Sequence, residues 1–277
     1  MKLAWYTDIH LDCVGNVQNK LFNLCELIDS VESVLITGDI SIASQLIPHL
    51  SMIETAFQRP IYFVLGNHDY YGSDISSTRR SVVNACNSSS YLKYMISTPY
   101  VQLSPGVTLI GHDGWYDAFN GNPNNNQFMM NDWIRIADFN SALKASSAGT
   151  SLNKNAVIEI ARRLAHQATL HVVNGIKSAV KQNSHIIIMT HVPPFKESYN
   201  SSEKHKGLSS QDVIPWYTSR MMGDAIFAAA KAYPNVKFTV LSGHLHSHYE
   251  QELLNNLTVR VGKSSYGSPQ LAGFIEV

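Results

Sequence analysis

The sequence predicts a layered α/β domain, and three observations carry that prediction. Short apolar runs rich in Val, Ile and Tyr recur along the chain, and runs of this length are typical of buried strands. Segments with helical spacing of apolar residues lie between them, an alternation typical of layered α/β domains. Each apolar run also ends in a polar cluster, which places polar side chains together at the ends of the strands.

The elements follow in chain order from these patterns. The apolar runs predict strands at 3–7, 34–37, 61–65, 107–110, 185–190 and 236–241. Helical spacing predicts helices at roughly 17–30, 41–57, 74–87 and 217–233. Three further strand-like runs at 249–254, 257–261 and 271–277 are separated by turn-forming residues. They predict a hairpin or meander added to a sheet.

The middle of the chain departs from this alternation. Residues 119–127 have the Asn- and Gly-rich composition of a loop. Helical patterns follow at 132–146 and 155–182, so we predict a loop and helical insertion over residues 112–183. Neither a fixed-period repeat nor a linker-like stretch is visible. We therefore expect one domain that spans residues 1–277.

Composition excludes several classes of protein. The chain has 277 residues, with 21 Lys and Arg against 21 Asp and Glu, so its formal net charge is zero. This balance argues against a nucleic-acid-binding surface. No apolar stretch approaches 18 residues, so no membrane span is expected. The N-terminal apolar run is too short for a signal peptide, and three scattered cysteines suit no disulfide framework. We expect a cytoplasmic protein, and its oligomeric state is left open.

Polar side chains with metal-binding chemistry follow five of the predicted strands. Because open α/β sheets bind ligands beyond the carboxyl ends of their strands, we expect these side chains to meet at one edge. Carboxylate and amide oxygens mixed with imidazoles are typical of a metal site. The glycines before several of them allow tight turns and close backbone approach. The candidate ligands are Asp8, His10, Asp39, Asn67, His191, His244 and His246.

The five fragments in this order are Asp-x-His, Gly-Asp, Gly-Asn-His-Asp, a lone His and Gly-His-x-His. Together they resemble the signature of the calcineurin-like metallophosphoesterases, from residue 2 to about 248. The resemblance implies a four-layer α/β/β/α sandwich with two metal ions at the strand ends. It implies Asp8, His10 and His246 at the first ion and Asn67, His191 and His244 at the second. Asp39 would bridge the two ions, and Zn, Fe or Mn suits such a ligand set.

The resemblance also implies a reaction. Two ions would hold a bridging hydroxide that attacks the phosphorus of a small phosphate ester, without a covalent enzyme intermediate. His68 follows the ligand Asn67 directly and could face the leaving group. As an imidazolium, it would protonate the leaving oxygen. Asp69 would orient the His68 ring and favour its charged form. His112 and His205 are weaker candidates for contact with the site, as a strand-end and a loop histidine.

The sequence narrows the class of substrate only in part. Arginines that the protein Ser/Thr phosphatase branch carries after its Gly-Asp and Asn-His-Glu motifs are absent, so we expect a small phosphomonoester or phosphodiester. Aromatic residues in 111–133 and 192–216 could line the pocket and hold a planar group such as a nucleoside. They could equally pack the insertion onto the domain.

Two other functions stay open on the sequence alone. A non-catalytic binding module could keep this fold. A metal-dependent amidase is disfavoured, since the usual zinc spacings are absent.

Overall fold

The computed structural model describes residues 1–28, 30–125, 128–145, 153–199 and 208–277. Within these ranges it contains eleven strands in two sheets and eight α-helices. The first sheet has the strand order β11-β1-β2-β3-β4. These strands are β1 (Lys2–Tyr6), β2 (Ser33–Thr37), β3 (Ile61–Val64), β4 (Leu92–Tyr94) and β11 (Gly273–Glu276). β1 to β4 run parallel, and β11 pairs antiparallel with β1.

The second sheet has the strand order β5-β6-β7-β8-β10-β9. Its strands are β5 (Val101–Ser104), β6 (Val107–Gly111), β7 (His185–Met189), β8 (Lys237–Ser242), β9 (Tyr249–Leu254) and β10 (Leu257–Val261). The four inner strands are parallel, and the two edge strands are antiparallel to their neighbours. Both sheets therefore present several carboxyl strand ends at one edge.

The helices begin and end close to the predicted limits. They are α1 (Val17–Glu26), α2 (Ala43–Phe57), α3 (Ile75–Asn87), α4 (Asp132–Arg135), α5 (Ala137–Lys144), α6 (Lys154–Ala179), α7 (Ser210–Val213) and α8 (Arg220–Ala232). The pattern predicted as one helix at 132–146 is two helices, α4 and α5, which meet at Ile136 in extended conformation. Among the described residues, no helix combines the length and the apolarity needed to cross a bilayer.

Alternating side chains along the strands build three apolar layers. Leu3 and Trp5 of β1 pack with Ile187 of β7 between the two sheets. Ala4 and Tyr6, which point the other way, pack in a core with the inner faces of α1, α2 and α3. The outer face of the second sheet packs against α6 and α8. The molecule is thus the four-layer α/β/β/α sandwich that the resemblance implied.

The end of the chain forms the predicted hairpin, but its last strand-like run does not extend that hairpin into a meander. β9 and β10 do form a hairpin, and β10 joins the second sheet beside β8. The next segment then crosses to the first sheet, where β11 pairs with β1. This pairing covers the edge of β1, which would otherwise expose unpaired backbone groups. The strands β4 and β5, of three and four residues, were not predicted because so short a run shows no clear periodicity.

Candidate metal centre

The turns after the strands have an unusual backbone. Five of the seven candidate ligands, Asp8, His10, Asp39, His244 and His246, have φ between 40° and 68°. Residues other than glycine rarely adopt this left-handed region, and holding one there costs about 1–3 kcal/mol. Nothing in the sequence pattern predicted this strain. Its concentration at the candidate ligands marks these turns as a functional site.

The glycines beside these ligands make room for them. A Cβ atom on Gly66 would overlap Oδ1 of Asp39, and one on Gly243 would overlap the Asp8 carboxylate. Gly38 has a φ of 87°, and a Cβ there would lie 2.7 Å from Nδ1 of His191. The close backbone approach expected at these three glycines is therefore confirmed.

One cluster of ligand atoms is formed by Asp8, His10, Asp39 and His246. One ligand atom from each of these residues lies within 4.8 Å of the others. Nε2 of His246 is 3.2 Å from Oδ1 of Asp8 and 3.2 Å from Nε2 of His10. Nε2 of His10 is 3.7 Å from Oδ2 of Asp39. These residues include all three expected at the first metal, together with the expected bridge.

A second cluster is centred on the amide oxygen of Asn67. Oδ1 of Asn67 lies 3.0 Å from Nε2 of His191 and 3.0 Å from Nδ1 of His244. Oδ1 of Asp39 is 3.3 Å from Nε2 of His191. Asp39 thus presents one carboxylate oxygen to each cluster, which is the arrangement that a bridging ligand requires.

The side chains around the second cluster fix which atoms face it. Nδ2 of Asn67 donates to Oδ1 of Asp132 at 2.8 Å and to the Tyr71 hydroxyl at 3.1 Å. The Tyr71 hydroxyl in turn donates to Asp132 at 2.7 Å. With its nitrogen held there, Asn67 can only turn its oxygen toward the histidines. Sequence reasoning missed Asp132, since nothing in its local pattern separates it from an ordinary first-turn aspartate.

Hydrogen bonds also fix the orientation of the His191 ring and of the Asp8 carboxylate. Nδ1 of His191 lies 2.8 Å from the Thr37 carbonyl and can only donate to it, which leaves Nε2 free to bind a metal. The Asp8 carboxylate accepts from the Thr7 hydroxyl and from the backbone N–H of His244. Burial alone would raise the pKa of Asp8, but the hydrogen bond from His246 and the nearby imidazoles hold it well below its usual range.

The protonation states of the candidate ligands suit the binding of a cation. Burial lowers the pKa values of His10 and His244 to about 3, so both rings are neutral at pH 7 and can bind a metal. Burial, followed by the charges of Asp8 and Asp69, raises the pKa of Asp39. A buried carboxylate among other carboxylates needs a positive charge, and metal ions between the two clusters would supply it.

His68 lines a cavity of about 310 Å³ beside the two clusters. Its side chain is 18% exposed, and its Nε2 lies 4.0 Å from Oδ2 of Asp39. Burial, together with the neighbouring histidine rings, lowers the pKa of His68 to about 2. The ring is therefore neutral in the free protein.

Asp69 does not hold the His68 ring. Its Oδ1 accepts from the backbone N–H groups of Ile40 and Ser41 at 2.9 and 2.8 Å, and its Oδ2 accepts from that of Gly66 at 2.8 Å. His68 and Asp69 share a 3-10 turn, in which consecutive side chains point in different directions. The predicted orienting contact is thus wrong, and Asp69 ties the Gly66 turn to the Asp39 turn.

Most of the aromatic residues considered as pocket walls are core residues. Trp115 stacks on Phe139 at 5.5 Å, and Trp133 packs against Trp216 at 4.7 Å. His112 is buried against His171, at 5.3 Å between ring centroids, and does not line the cavity. His205 lies outside the described residues. The aromatic side chains that do line the cavity are Tyr71, Phe128, Tyr217 and Tyr266.

The chain is similar in sequence to one protein family and in fold to several solved structures. The family model for calcineurin-like phosphoesterases matches residues 1–248. The fold is similar to that of phosphopantetheinyl hydrolase from Mycobacterium tuberculosis, with a TM-score of 0.60 and 13% identity over 96% of this chain and 90% of that one. The fold is also similar to that of a dimetal phosphatase from Danio rerio. The TM-score is 0.57 and the sequence identity 12%, over 95% of this chain and 87% of that one. For a protein from Thermus thermophilus the TM-score is 0.54 and the sequence identity 14%, over 95% of this chain and 88% of that one. At these identities the likeness shows a shared fold. No curated protein sequence matches the chain.

Proposed function

We propose, from the premise that the chain belongs to the calcineurin-like phosphoesterase family, that it hydrolyses a small phosphate ester with two metal ions bridged by Asp39. Membership of this family makes the chain a metal-dependent phosphoric ester hydrolase. The observation that carries the two-ion proposal is the Asp39 carboxylate, whose two oxygens face two separate ligand clusters.

The two clusters divide the ligands between the ions. Asp8, His10 and His246 would hold the first ion, and Asn67, His191 and His244 the second. The ligands mix oxygen and imidazole donors, and Zn, Fe and Mn all suit this mixture. Because Asn67 contributes a neutral oxygen, the seven side chains carry only two negative charges, from Asp8 and Asp39. Such a site has a net positive charge when loaded, which favours a phosphate anion.

The chain's own residues would then position the ester and its leaving group. When bound, the ions activate water and polarise the phosphoryl group. Among the described residues, His68 is the histidine that lines the cavity without belonging to either ligand cluster. Its ring is neutral in the free protein, and an adjacent phosphate anion would favour its protonation. It would then donate a proton to the leaving oxygen.

The size and lining of the cavity support the proposed substrate class. A volume of about 310 Å³ lies at the small end of the range for ligand pockets. Tyr71, Tyr217 and Phe128 offer flat apolar surface beside the ligand clusters. We therefore propose a small phosphomonoester or phosphodiester, with a nucleotide as one candidate.

The test combines metal analysis with a panel of p-nitrophenyl phosphate, bis-p-nitrophenyl phosphate and cyclic nucleotides. We expect two metal ions per chain and turnover of at least one ester. Asn67→Ala and His191→Ala should lose the second ion before the first. His185→Ala is the matched control, since this histidine pairs with Thr239 far from the ligands. Metal binding without turnover would instead support the binding module, and a single ion would refute the bridge.

A further inference from the structure

We propose that Tyr266 is the residue that positions the His68 ring, the role that the sequence assigned to Asp69. The inference rests on the proposed phosphoesterase reaction and adds a residue to it. Tyr266 lies beyond the part of the chain that the family model matches, which ends at residue 248. It lies in the segment that leaves β10 in one sheet and enters β11 in the other.

Hydrogen bonds join the segment between β10 and β11 to the backbone of two candidate ligands. The Ser264 hydroxyl donates to the backbone carbonyl of Asp8 at 2.5 Å, and the Ser264 N–H donates to that of His246 at 3.3 Å. A turn follows, closed by a hydrogen bond from the Ser268 N–H to the Ser265 carbonyl at 3.1 Å. Gly267 within this turn has a φ of 71°. The backbone before Tyr266 is thus fixed relative to the strand ends, and Tyr266 itself lies within a closed turn.

The Tyr266 ring lies across the imidazoles of the site. Its centroid is 4.3 Å from that of His10, 4.9 Å from that of His246 and 5.9 Å from that of His68. Even so, Tyr266 is 55% exposed. It therefore stands at the boundary between the ligand clusters and solvent, where a substrate must enter.

The hydroxyl of Tyr266 lies 3.4 Å from Nε2 of His68. Neither nearby carboxylate makes this contact, since Oδ2 of Asp39 is 4.0 Å from Nε2 of His68 and Asp69 accepts from backbone N–H groups. Hydrogen bonds of catalytic groups are often long before substrate binds. The His68 ring also packs against Tyr71, at 4.3 Å between centroids, and against His10, at 4.7 Å. The Tyr71 hydroxyl is itself fixed by Asp132.

His68 therefore contacts two tyrosines, Tyr71 and Tyr266. A phenol can donate to a neutral imidazole and can accept from a protonated one, so the contact persists through a proton transfer at His68. A carboxylate at the same place would instead favour the charged ring strongly. Tyr266 is thus suited to fix the direction of the His68 ring in either protonation state.

The test compares Tyr266→Phe, which removes only the hydroxyl, with Tyr233→Phe, a control at a similarly exposed tyrosine outside the cavity. For a phenyl or alkyl phosphate, Tyr266→Phe should lower kcat about tenfold with little change in KM, the effect of one lost hydrogen bond. The loss should be smaller for p-nitrophenyl phosphate. In a His68→Ala background the same substitution should have no further effect. Metal content should stay unchanged throughout.

A second measurement does not depend on turnover. The ring nitrogen signals of His68 in ¹⁵N NMR, identified by their absence in His68→Ala, should shift in Tyr266→Phe while those of His185 do not. An unshifted His68 signal, a lost metal ion, or an equal loss of activity in the His68→Ala background would overturn the inference. If the wild-type protein hydrolyses no ester, the proposed function fails, and the NMR shift still decides whether Tyr266 holds His68.

Discussion

Asp132 is expected to control the affinity of the second metal ion without touching it. Its Oδ1 accepts from Nδ2 of Asn67 at 2.8 Å and from the Tyr71 hydroxyl at 2.7 Å. Asp132→Leu keeps a similar side-chain volume but removes both acceptors. The Asn67 amide would then keep only its contact with Tyr71, at 3.1 Å, and could turn its nitrogen toward the histidines. In that orientation Asn67 offers the metal no lone pair.

The size of the effect follows from this geometry. Removing a group that orients a metal ligand weakens metal affinity by about 10- to 100-fold. This corresponds to about 1.4–2.7 kcal/mol of binding free energy. Asp132→Asn retains an acceptor oxygen, so its loss should be only a few-fold. The first ion, whose ligands do not contact Asp132, should bind as in the wild type.

Calorimetric titration of metal into the metal-free protein would separate the two sites. Asp117→Leu is the matched control, since Asp117 is equally buried but accepts from the backbone of Phe119 and Met221. Thermal unfolding of each metal-free variant would report any general loss of stability. Wild-type affinity at the second site in Asp132→Leu, or an equal loss at both sites, would refute the orienting role.

Three further expectations concern other parts of the molecule. His68→Ala should retain both metal ions but lose about 10²–10⁴ in kcat on an alkyl phosphate, and less on p-nitrophenyl phosphate; loss of an ion in this variant would make His68 a ligand. Gly66→Ala should displace Asp39 and lower the content of both ions, as measured by mass spectrometry, whereas Gly15→Ala, whose added methyl group would meet nothing within 4 Å, should keep them. Burial lowers the pKa of His112 to about 3, so this ring takes up its proton near pH 6.5 only after unfolding. The metal-free wild type should therefore lose stability relative to His112→Asn as the pH falls from about 6.5 to about 3, and urea midpoints that run parallel over this range would contradict the argument.

The order of elements and the ligand set could be predicted from sequence for a local reason. Each ligand lies within a few residues of the strand that delivers it, so a short motif contains the whole signal. The contacts that orient the ligands are of another kind. Asp132 lies 65 residues from Asn67, and Tyr266 lies 198 residues from His68. Only the packing of the two sheets brings such residues together, and no periodic pattern records it.

The error at Asp69 has the opposite origin. Adjacency in sequence suggested a contact with His68, but the 3-10 turn His68–Tyr70 separates neighbouring side chains. The carboxylate then met three unpaired backbone N–H groups in the adjoining turns. Hydrogen bonds from these three groups determine where Asp69 points.

The left-handed backbone at five ligands has a consequence for how this site can change over evolution. Glycine would relax the backbone of each of these turns, so the substitutions that relieve this strain are also those that delete a ligand. Among side chains other than glycine, Asp, Asn and His tolerate this conformation best. These are also residue types that bind metal ions. Two unrelated demands, one from the backbone and one from the ion, therefore select the same few amino acids at Asp8, His10, Asp39, His244 and His246.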